Sequence, residues 1–552
     1  MTARVNIATS VSEMAQRQPE ATAVICPWGR RGGTLTYAEL DERTAHVAAG
    51  LDAYGIKRGV RTVLMVPPGL DLFVLAFGLF RAGAVPVLVD PGIGLRHLKV
   101  CLGNARPEAF IGVTKAQAAR VVLGWARETV TTRVTVGPRL FWGGKALAAV
   151  EAAGRATGGR DVADTRADEV AAIVFTSGST GPPKGVVYRH GNFATQIEAV
   201  RDVLDCGPGD IDLPTFPLFS LFDPALGMTT VIPEMDPTRP ARVDPEKIIG
   251  PIREYGITTM FGSPALLDTV GRYGVEHGVS LPTLRQVVSA GAPVAPRIIE
   301  RFVSLMAPEG RLLTPYGATE SLPVAVTSSR EILAETRHAT DRGEGTCVGK
   351  PVPSIEAAII AIDDGPVADW SDDLRLPVGE VGEIVVKGGQ VTREYFYAER
   401  HNRLGKIVDG DEVRHRMGDV GRFDEQGRLW FYGRMSQRVV AGDETLFSVP
   451  CEGVFNTHDE VFRSALVAAE RNGETIPVIC IEPEPGVSPK DHPRIRSELL
   501  ELAGSFEHTR AIETVLFHPS FPVDIRHNAK IGRRALGEWA TTQLGGSACR
   551  RW

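Results

Sequence analysis

Thr176, Ser177, Ser179 and Thr180 alternate with Gly178 and Gly181 and are followed by Lys184 and Gly185, so hydroxyls, glycines and one ammonium crowd into a single short turn. Such a set suits a polyphosphate. Glycines let the backbone approach closely and aim its N–H groups inward, hydroxyls add neutral donors, and the lysine supplies a point charge for phosphate oxygens. The apolar run Val170-Ala171-Ala172-Ile173-Val174 precedes the turn and reads as a buried strand, which predicts a nucleotide triphosphate cradle at a strand end. It is not a Walker A loop, because Gly178 and Gly181 are three apart and Gly185, not Ser or Thr, follows Lys184. Composition alone also allows a Gly/Ser surface hairpin; the coincidence of hydroxyls, lysine and preceding strand favours phosphate.

The elements that must position this turn are legible as alternation. Short β-branched runs at 63–66, 84–89, 109–113, 171–175, 258–261 and 286–289 predict buried parallel strands. Between them, Ala38 to Tyr54, Asp71 to Arg81 and Lys247 to Tyr255 carry helical apolar spacing. This is an α/β pattern of stacked doubly wound sheets, with ligands at the carboxyl ends of strands. From about 352 the pattern turns hairpin-like, as in Glu383 to Gly388 and Leu429 to Gly433, and predicts a β subdomain over 352–434 that completes an N-terminal domain of 1–434. Residues 435–552 form a smaller α+β unit.

Composition excludes several classes. Among 552 residues, 43% are hydrophobic and 61 basic side chains nearly balance 67 acidic ones, for a net charge of −6, so neither a nucleic-acid face nor a membrane-surface patch is indicated. The longest apolar run, Leu72 to Phe80, is too short to span a bilayer, and Met1 to Gln16 lacks a signal-peptide pattern, so a cytoplasmic location is expected. Seven scattered cysteines without C-x-x-C predict neither a disulfide framework nor a zinc site.

The order T-S-G-S-T-G-x-P-K-G resembles the phosphate loop of the adenylate-forming (ANL) superfamily: acyl-CoA synthetases, luciferases and peptide-synthetase adenylation domains. Further segments agree in the family's order: Leu35 to Leu40, Gly83 to Pro91, Ser289-Ala290-Gly291-Ala292-Pro293, Tyr316-Gly317-Ala318-Thr319-Glu320, Met417-Gly418-Asp419, Gly433-Arg434 and Asn528-Ala529-Lys530-Ile531-Gly532. The resemblance spans about residues 10 to 540. It implies an enzyme that uses ATP and Mg²⁺ to convert a carboxylate into an acyl-adenylate with loss of pyrophosphate. Thr176, Ser177, Gly178, Ser179, Thr180, Gly181 and Lys184 would hold the phosphates, and Glu320 with Thr176 the metal. Gly291, Ala292 and Pro293 would lie along adenine, with Tyr316, Gly317 and Thr319 near the ring and the α-phosphate. Asp419 would take the ribose hydroxyls, and Arg434 the ribose or phosphate. Lys530, on a mobile C-terminal lid, would bridge the carboxylate and the α-phosphate and stabilise charge as the bond forms. Without the motifs, Glu320 would be a solvated carboxylate, Asp419 a turn residue and Lys530 part of a basic tail.

Two departures from the family pattern stand out. Gln437 occupies the position of the frequent aspartate or lysine hinge residue, upstream of Gly442, whose segment resembles the family's loop lining the tunnel of the thiol acceptor, and Ser220 stands where acyl-CoA synthetases carry a histidine beside the acyl site. Within the superfamily, FPLFSLFDPALG at 216–227, Val187 to Phe193 and Leu446 to Glu452 resemble the olefin β-lactone synthetases of long-chain hydrocarbon biosynthesis. These activate a 2-alkyl-3-hydroxyalkanoic acid, after which the substrate's own 3-hydroxyl displaces AMP. That implies partners from the same pathway: a thiolase-like condensing enzyme, a reductase and a lactone decarboxylase. A long-chain fatty acid-CoA ligase or acyl-AMP ligase would use the same adenylation residues, and a non-catalytic nucleotide-binding scaffold is the alternative of another class. His190, beside a helix entry, is set aside as a structural hydrogen-bonder.

Overall fold

Apolar runs of three to six β-branched residues are too short for helices and are buried by pairing side by side. In the computed structural model, which describes residues 5–29, 32–89, 93–175, 183–523 and 530–545, the strands assemble into two large sheets, one of three strands and a two-stranded hairpin. Thr176 to Gly181, the expected phosphate cradle, and Asn528 and Ala529 lie outside the described residues.

The first sheet runs in space from Lys145–Ala146 through Thr132–Val136, Ala109–Val113, Arg61–Met65, Val85–Val89 and Val170–Phe175 to Gly185–Arg189. All pairs are parallel except the last, where Phe175 faces Gly185 in antiparallel register. The predicted phosphate turn therefore joins the strands of a hairpin.

The second sheet has 14 strands among the described residues. Thr22–Cys26, Thr229–Val231, Ile211–Pro214, Thr259–Phe261, Gln286–Val288 and Arg311–Ala318 are parallel, and the hairpin to Ser321–Ser328 reverses direction. The β strands beyond 352, the region of the expected β subdomain, continue this sheet. Strand Thr346–Pro351 supplies the stitch: Lys350 and Pro351 pair with Val326 and Ala325, while Thr346 and Cys347 pair with Phe431 and Trp430. Gly349 lies between the two halves at φ 86°, and a Cβ there would sit 1.9 Å from the Val326 carbonyl oxygen, so only glycine lets the strand change partners.

Helix Leu70–Ala82 is buried from Leu72 onward, which explains its uniformly apolar sequence. Its one buried cation, Arg81, meets Asp41 at 2.6 Å. Helix Tyr37–Ala53 starts with a capping box between Thr36 and Glu39 and crosses helix Leu147–Ala156 almost backbone to backbone. Cβ atoms on Gly50 and Gly154 would lie 1.9 Å from the Val150 oxygen and 1.7 Å from the His46 oxygen.

After Arg434 the chain builds the small sheet Val461–Arg471, Glu474–Pro483 and Thr514–Phe517. Helices Ser448–Phe455 and His492–Gly504 share one apolar core with this sheet, and helix Arg533–Gln543 shares another on Leu536 and Ala540. Arg533 ties that last helix down, donating to both Glu452 oxygens and, at 3.1 Å, to Gln437. Six of the cysteines are free and buried, and no helix among the described residues is long and apolar enough to cross a membrane.

Gly154→Ala should destabilise the fold by about 1–3 kcal/mol, because a backbone carbonyl rather than a flexible side chain must give way. Urea unfolding measures this; unchanged stability would contradict the helix contact.

Candidate active site

Ala318 and Ser321 form the last pair of the hairpin Arg311–Ala318/Ser321–Ser328, which leaves Thr319 and Glu320 at its tip. The tip is packed tightly. A Cβ on Gly317 would meet the Ser321 oxygen at 2.5 Å, so the glycine of this segment serves a close approach of two strands. The Tyr188 hydroxyl donates to the Thr319 carbonyl, and Thr392 donates to the Glu320 carbonyl from its N–H at 2.9 Å and its hydroxyl at 3.2 Å. The Glu320 side chain points the other way, where its Oε1 accepts from the Tyr395 hydroxyl at 2.6 Å.

Burial opposes ionisation of Glu320, but His415, the Tyr395 hydroxyl and Lys406 more than offset it, and the carboxyl is held below the usual range. His415 donates from Nδ1 to the Gly405 carbonyl at 2.9 Å, and burial drives it to about 3, so at neutral pH it is uncharged and the Tyr395 hydroxyl and Lys406 stabilise the carboxylate. Lys406 is buried, donates to Thr392 and is lowered by that burial to about 7. Its ammonium and that of Lys184 lie 5.5 and 5.3 Å from the centroid of the Tyr395 ring. Burial also lowers Lys184, which Glu320 partly restores.

A second group closes the opposite wall. Asp419, on strand Glu412–Phe423, faces Arg434, at the end of strand Leu429–Arg434, as a ladder pair. Asp419 Oδ2 accepts from the Tyr316 hydroxyl at 2.7 Å, while Oδ1 lies 3.1 Å from Arg434 Nε in an ion pair and accepts no hydrogen bond among the described residues. Burial raises the Asp419 carboxyl, against the pull of Arg434, the Tyr316 hydroxyl and Lys530. Arg434 is anchored to the Met417 carbonyl at 2.9 Å. Just beyond it, Gln437 is bonded to Arg533, and Arg438 meets Asp364 at 2.6 Å.

One cavity of about 540 Å³ connects these parts. Lys184, Gly291, Gly317, Thr319, Glu320, Arg434 and Lys530 line its polar end, so segments far apart in the chain meet there. Tyr316 and Asp419 stand behind Arg434, and Ala292 and Pro293 follow Gly291 on the loop leaving strand Gln286–Val288. The other end is apolar, with Phe80, Phe193, Phe216, Phe219, Leu221 and Phe222 on its walls. Ser220 does not share that wall: its hydroxyl donates to the Pro217 carbonyl at 2.6 Å and is buried inside the turn, so the position expected beside the acyl site faces away from it. His190 is buried at a helix start outside the cavity.

Tyr395, Lys406 and His415 were not legible in the sequence. They approach Glu320 from 75 or more residues away, and no local spacing marks them. In charge, the described residues lining the cavity set four cations, Lys184, Arg416, Arg434 and Lys530, against three carboxylates, Glu320, Asp364 and Glu383, with Lys406 and Asp419 beside them. The surplus is positive, as a polyphosphate requires.

Comparison with known proteins agrees with this geometry. Residues 11–396 match the family model of AMP-binding enzymes. The chain is 50% identical to the olefin β-lactone synthetase of Xanthomonas campestris pv. campestris over 98% of its length and 99% of that protein. It is 51% identical to the olefin β-lactone synthetase of Stenotrophomonas maltophilia, over 98% of each chain. Among solved structures, an amide bond synthetase from Marinactinospora thermotolerans superposes with a TM-score of 0.79 at 22% identity, covering 97% of this chain and 99% of that one, a likeness of fold.

Gly317→Ala should displace the hairpin tip, lowering ATP turnover at least tenfold and stability by about 1–3 kcal/mol. Steady-state kinetics with a thermal melt tests this; a variant with unchanged turnover and melting would show that the tip has room.

Proposed function

The chain belongs to the family of AMP-binding enzymes, and from that premise we propose that it is an ATP-dependent β-lactone synthetase. It adenylates a long-chain 2-alkyl-3-hydroxyalkanoic acid and lets the 3-hydroxyl displace AMP, giving a β-lactone, AMP and pyrophosphate. The observation that carries this reading is the single cavity whose charged end holds Lys184, Glu320, Arg434 and Lys530 and whose other end is lined by phenylalanines. An acid with long alkyl chains needs both ends at once.

A carboxylate is a poor electrophile because its leaving group would be an oxide. Attack of its oxygen on the α-phosphorus of ATP replaces that leaving group with AMP and expels pyrophosphate. The chain's own residues orient the reactants and balance their charge. Lys184 and the hydroxyl-rich turn from Thr176 hold the β- and γ-phosphates. The Asp419 Oδ1 that accepts no hydrogen bond suits a ribose hydroxyl, and the loop at Gly291, Ala292 and Pro293 flanks adenine with Tyr316. Glu320 offers a hard, ionised oxygen beside the phosphates, so its chemistry fits Mg²⁺, with Thr176 as a second oxygen donor. When bound, the ion neutralises phosphate charge. Lys530 bridges the attacking carboxylate and the α-phosphate, where negative charge concentrates only as the bond forms.

In the second step the nucleophile is already on the substrate. An aligned intramolecular hydroxyl has an effective molarity of order 10⁵ M or more, and release of AMP offsets ring strain, so coenzyme A is not needed. The chain works as two units, 1–434 and a mobile lid of 435–552 that carries Lys530, with the hinge just after Arg434. Dependence on ATP and buried free thiols support a cytoplasmic location. The product is an activated, strained lactone, which fits partners that build the hydroxy acid and decarboxylate the lactone: a thiolase-like condensing enzyme, a reductase and a lactone decarboxylase.

Lys530→Ala should reduce pyrophosphate release by at least 10³-fold while ATP binding persists, because one transition-state charge contact of this kind is worth several kcal/mol. Retained turnover would remove the lysine's role. Incubation of the unsubstituted chain with ATP, Mg²⁺ and a long-chain 2-alkyl-3-hydroxy acid, without coenzyme A, should yield lactone by NMR; thioester formed only when coenzyme A is added would establish an acyl-CoA ligase instead.

A further inference from the structure

Adjoining the apolar end of the main cavity lies a second, smaller space of about 110 Å³. Val200, Val203 and Leu204 of helix His190–Leu204, Leu226 of helix Asp223–Leu226, and Val288 line it. Phe219, Phe222 and Phe261 line both spaces and form the partition between them, with Phe219 and Phe261 edge to face at 4.7 Å. Ala290 also borders both, next to Gly291 at the polar end, and so does Leu322, two residues from Glu320. The inner space thus begins close to where the carboxylate would be activated.

Of its polar neighbours the two carboxylates are internally satisfied, whereas Gln196, which borders both spaces, donates from Nε2 to the Leu322 carbonyl at 3.0 Å while its buried Oε1 accepts no hydrogen bond among the described residues. Asp212 accepts from Thr259 at 2.6 Å and Asp223 from Thr230 at 3.0 Å, and burial holds both carboxyls above their usual range, so they do not charge the chamber as a pair. Apart from the Gln196 amide at the border with the main cavity, what remains is mostly aliphatic and aromatic surface, which favours hydrocarbon over water.

An unbranched acid has one chain and needs one apolar path. From the activation point this molecule offers two. We propose that the inner chamber receives the C2 alkyl branch of the substrate while the C3 chain lies along the phenylalanine wall of the main cavity, with Phe219, Phe222 and Phe261 as the residues that set branch length. The assignment rests on the β-lactone synthetase reading. C2 is bonded to the carboxyl carbon, so its branch leaves the chain nearest Ala290 and Leu322; the C3 chain starts one bond later, beside the hydroxyl that must stay at the polar end. At about 110 Å³ the chamber is smaller than the cavity of about 150 Å³ that takes one benzene, so it holds a few carbons of the branch, those nearest C2.

Two acid series test this by ATP–pyrophosphate exchange and lactone formation: one varies the C2 branch from methyl to decyl at fixed C3 chain, the other varies the C3 chain at fixed branch. Leu226→Phe fills the chamber and should lower the ratio of kcat/KM for long over short C2 branches by about tenfold or more. Phe222→Ala opens the partition and should move the preferred C2 branch to greater length, while in Leu226→Phe, which lines the inner space and not the main cavity, the C3 preference should shift less than about twofold. An unchanged C2 profile in Phe222→Ala, or a shift confined to the C3 series, would overturn the assignment. If Leu226→Phe fails to fold by thermal melt, Phe222→Ala decides alone. Failure of the unsubstituted chain to exchange with any branched acid would instead defeat the proposed activity, and the chamber's role with it.

Discussion

Charged side chains taken out of water around one cavity are what the surrounding architecture has to support. Lys184, Lys406, Arg434 and Glu320 are held in or beside a site walled by aromatic rings, where an unpaired charge would cost several kcal/mol. Each has a specific partner: Glu320 the Tyr395 hydroxyl, Lys184 the face of the Tyr395 ring, Lys406 the Thr392 oxygens, and Arg434 the Asp419 carboxylate that Tyr316 also holds. The remaining positive excess is the feature a nucleotide triphosphate would neutralise, which ties ligand binding to the electrostatics of the fold itself.

The second sheet makes that arrangement possible. In its spatial order the strand before the Gly291 loop lies next to the strand of Tyr316, then the hairpin partner after Glu320, then Thr346–Pro351, then the strand ending at Arg434 and the strand of Asp419. Groups suited to adenine, metal and ribose thus sit along one continuous hydrogen-bonded surface. Its continuity depends on Gly349, where a single strand passes from one neighbour to another. From the same sheet the chain leaves at Arg434 for the small unit that brings Lys530 back to the cavity.

Much of this was legible in the sequence. Strand runs such as 109–113 matched the observed Ala109–Val113, because a buried parallel strand must be apolar on both faces. The segments at Gly291, Tyr316 to Glu320, Asp419, Arg434 and Lys530 marked residues that the fold brings to one cavity or directly behind its wall, since these groups sit in short contiguous motifs. Three things were not legible. The stitching of the late β strands into the second sheet depends on long-range pairing of Thr346–Pro351, which no local pattern encodes. Tyr395, Lys406 and His415 reach Glu320 only through tertiary packing. The orientation of Ser220 away from the apolar wall follows from a turn in which its own hydroxyl bonds back to Pro217, and residue type alone could not reveal it.

The central claim is that remote segments converge on one adenylate, with the acid's alkyl chains in the adjoining apolar space. A crystal structure with a non-hydrolysable sulfamoyl analogue of the 2-alkyl-3-hydroxyacyl-adenylate tests it most directly. The account predicts adenine against the Gly291 loop and Tyr316, a ribose hydroxyl on Asp419 Oδ1, the acyl linkage within reach of Lys530, and alkyl density past Phe219. An adenosine bound elsewhere, or chains directed into solvent with the phenylalanine-lined space empty, would contradict it.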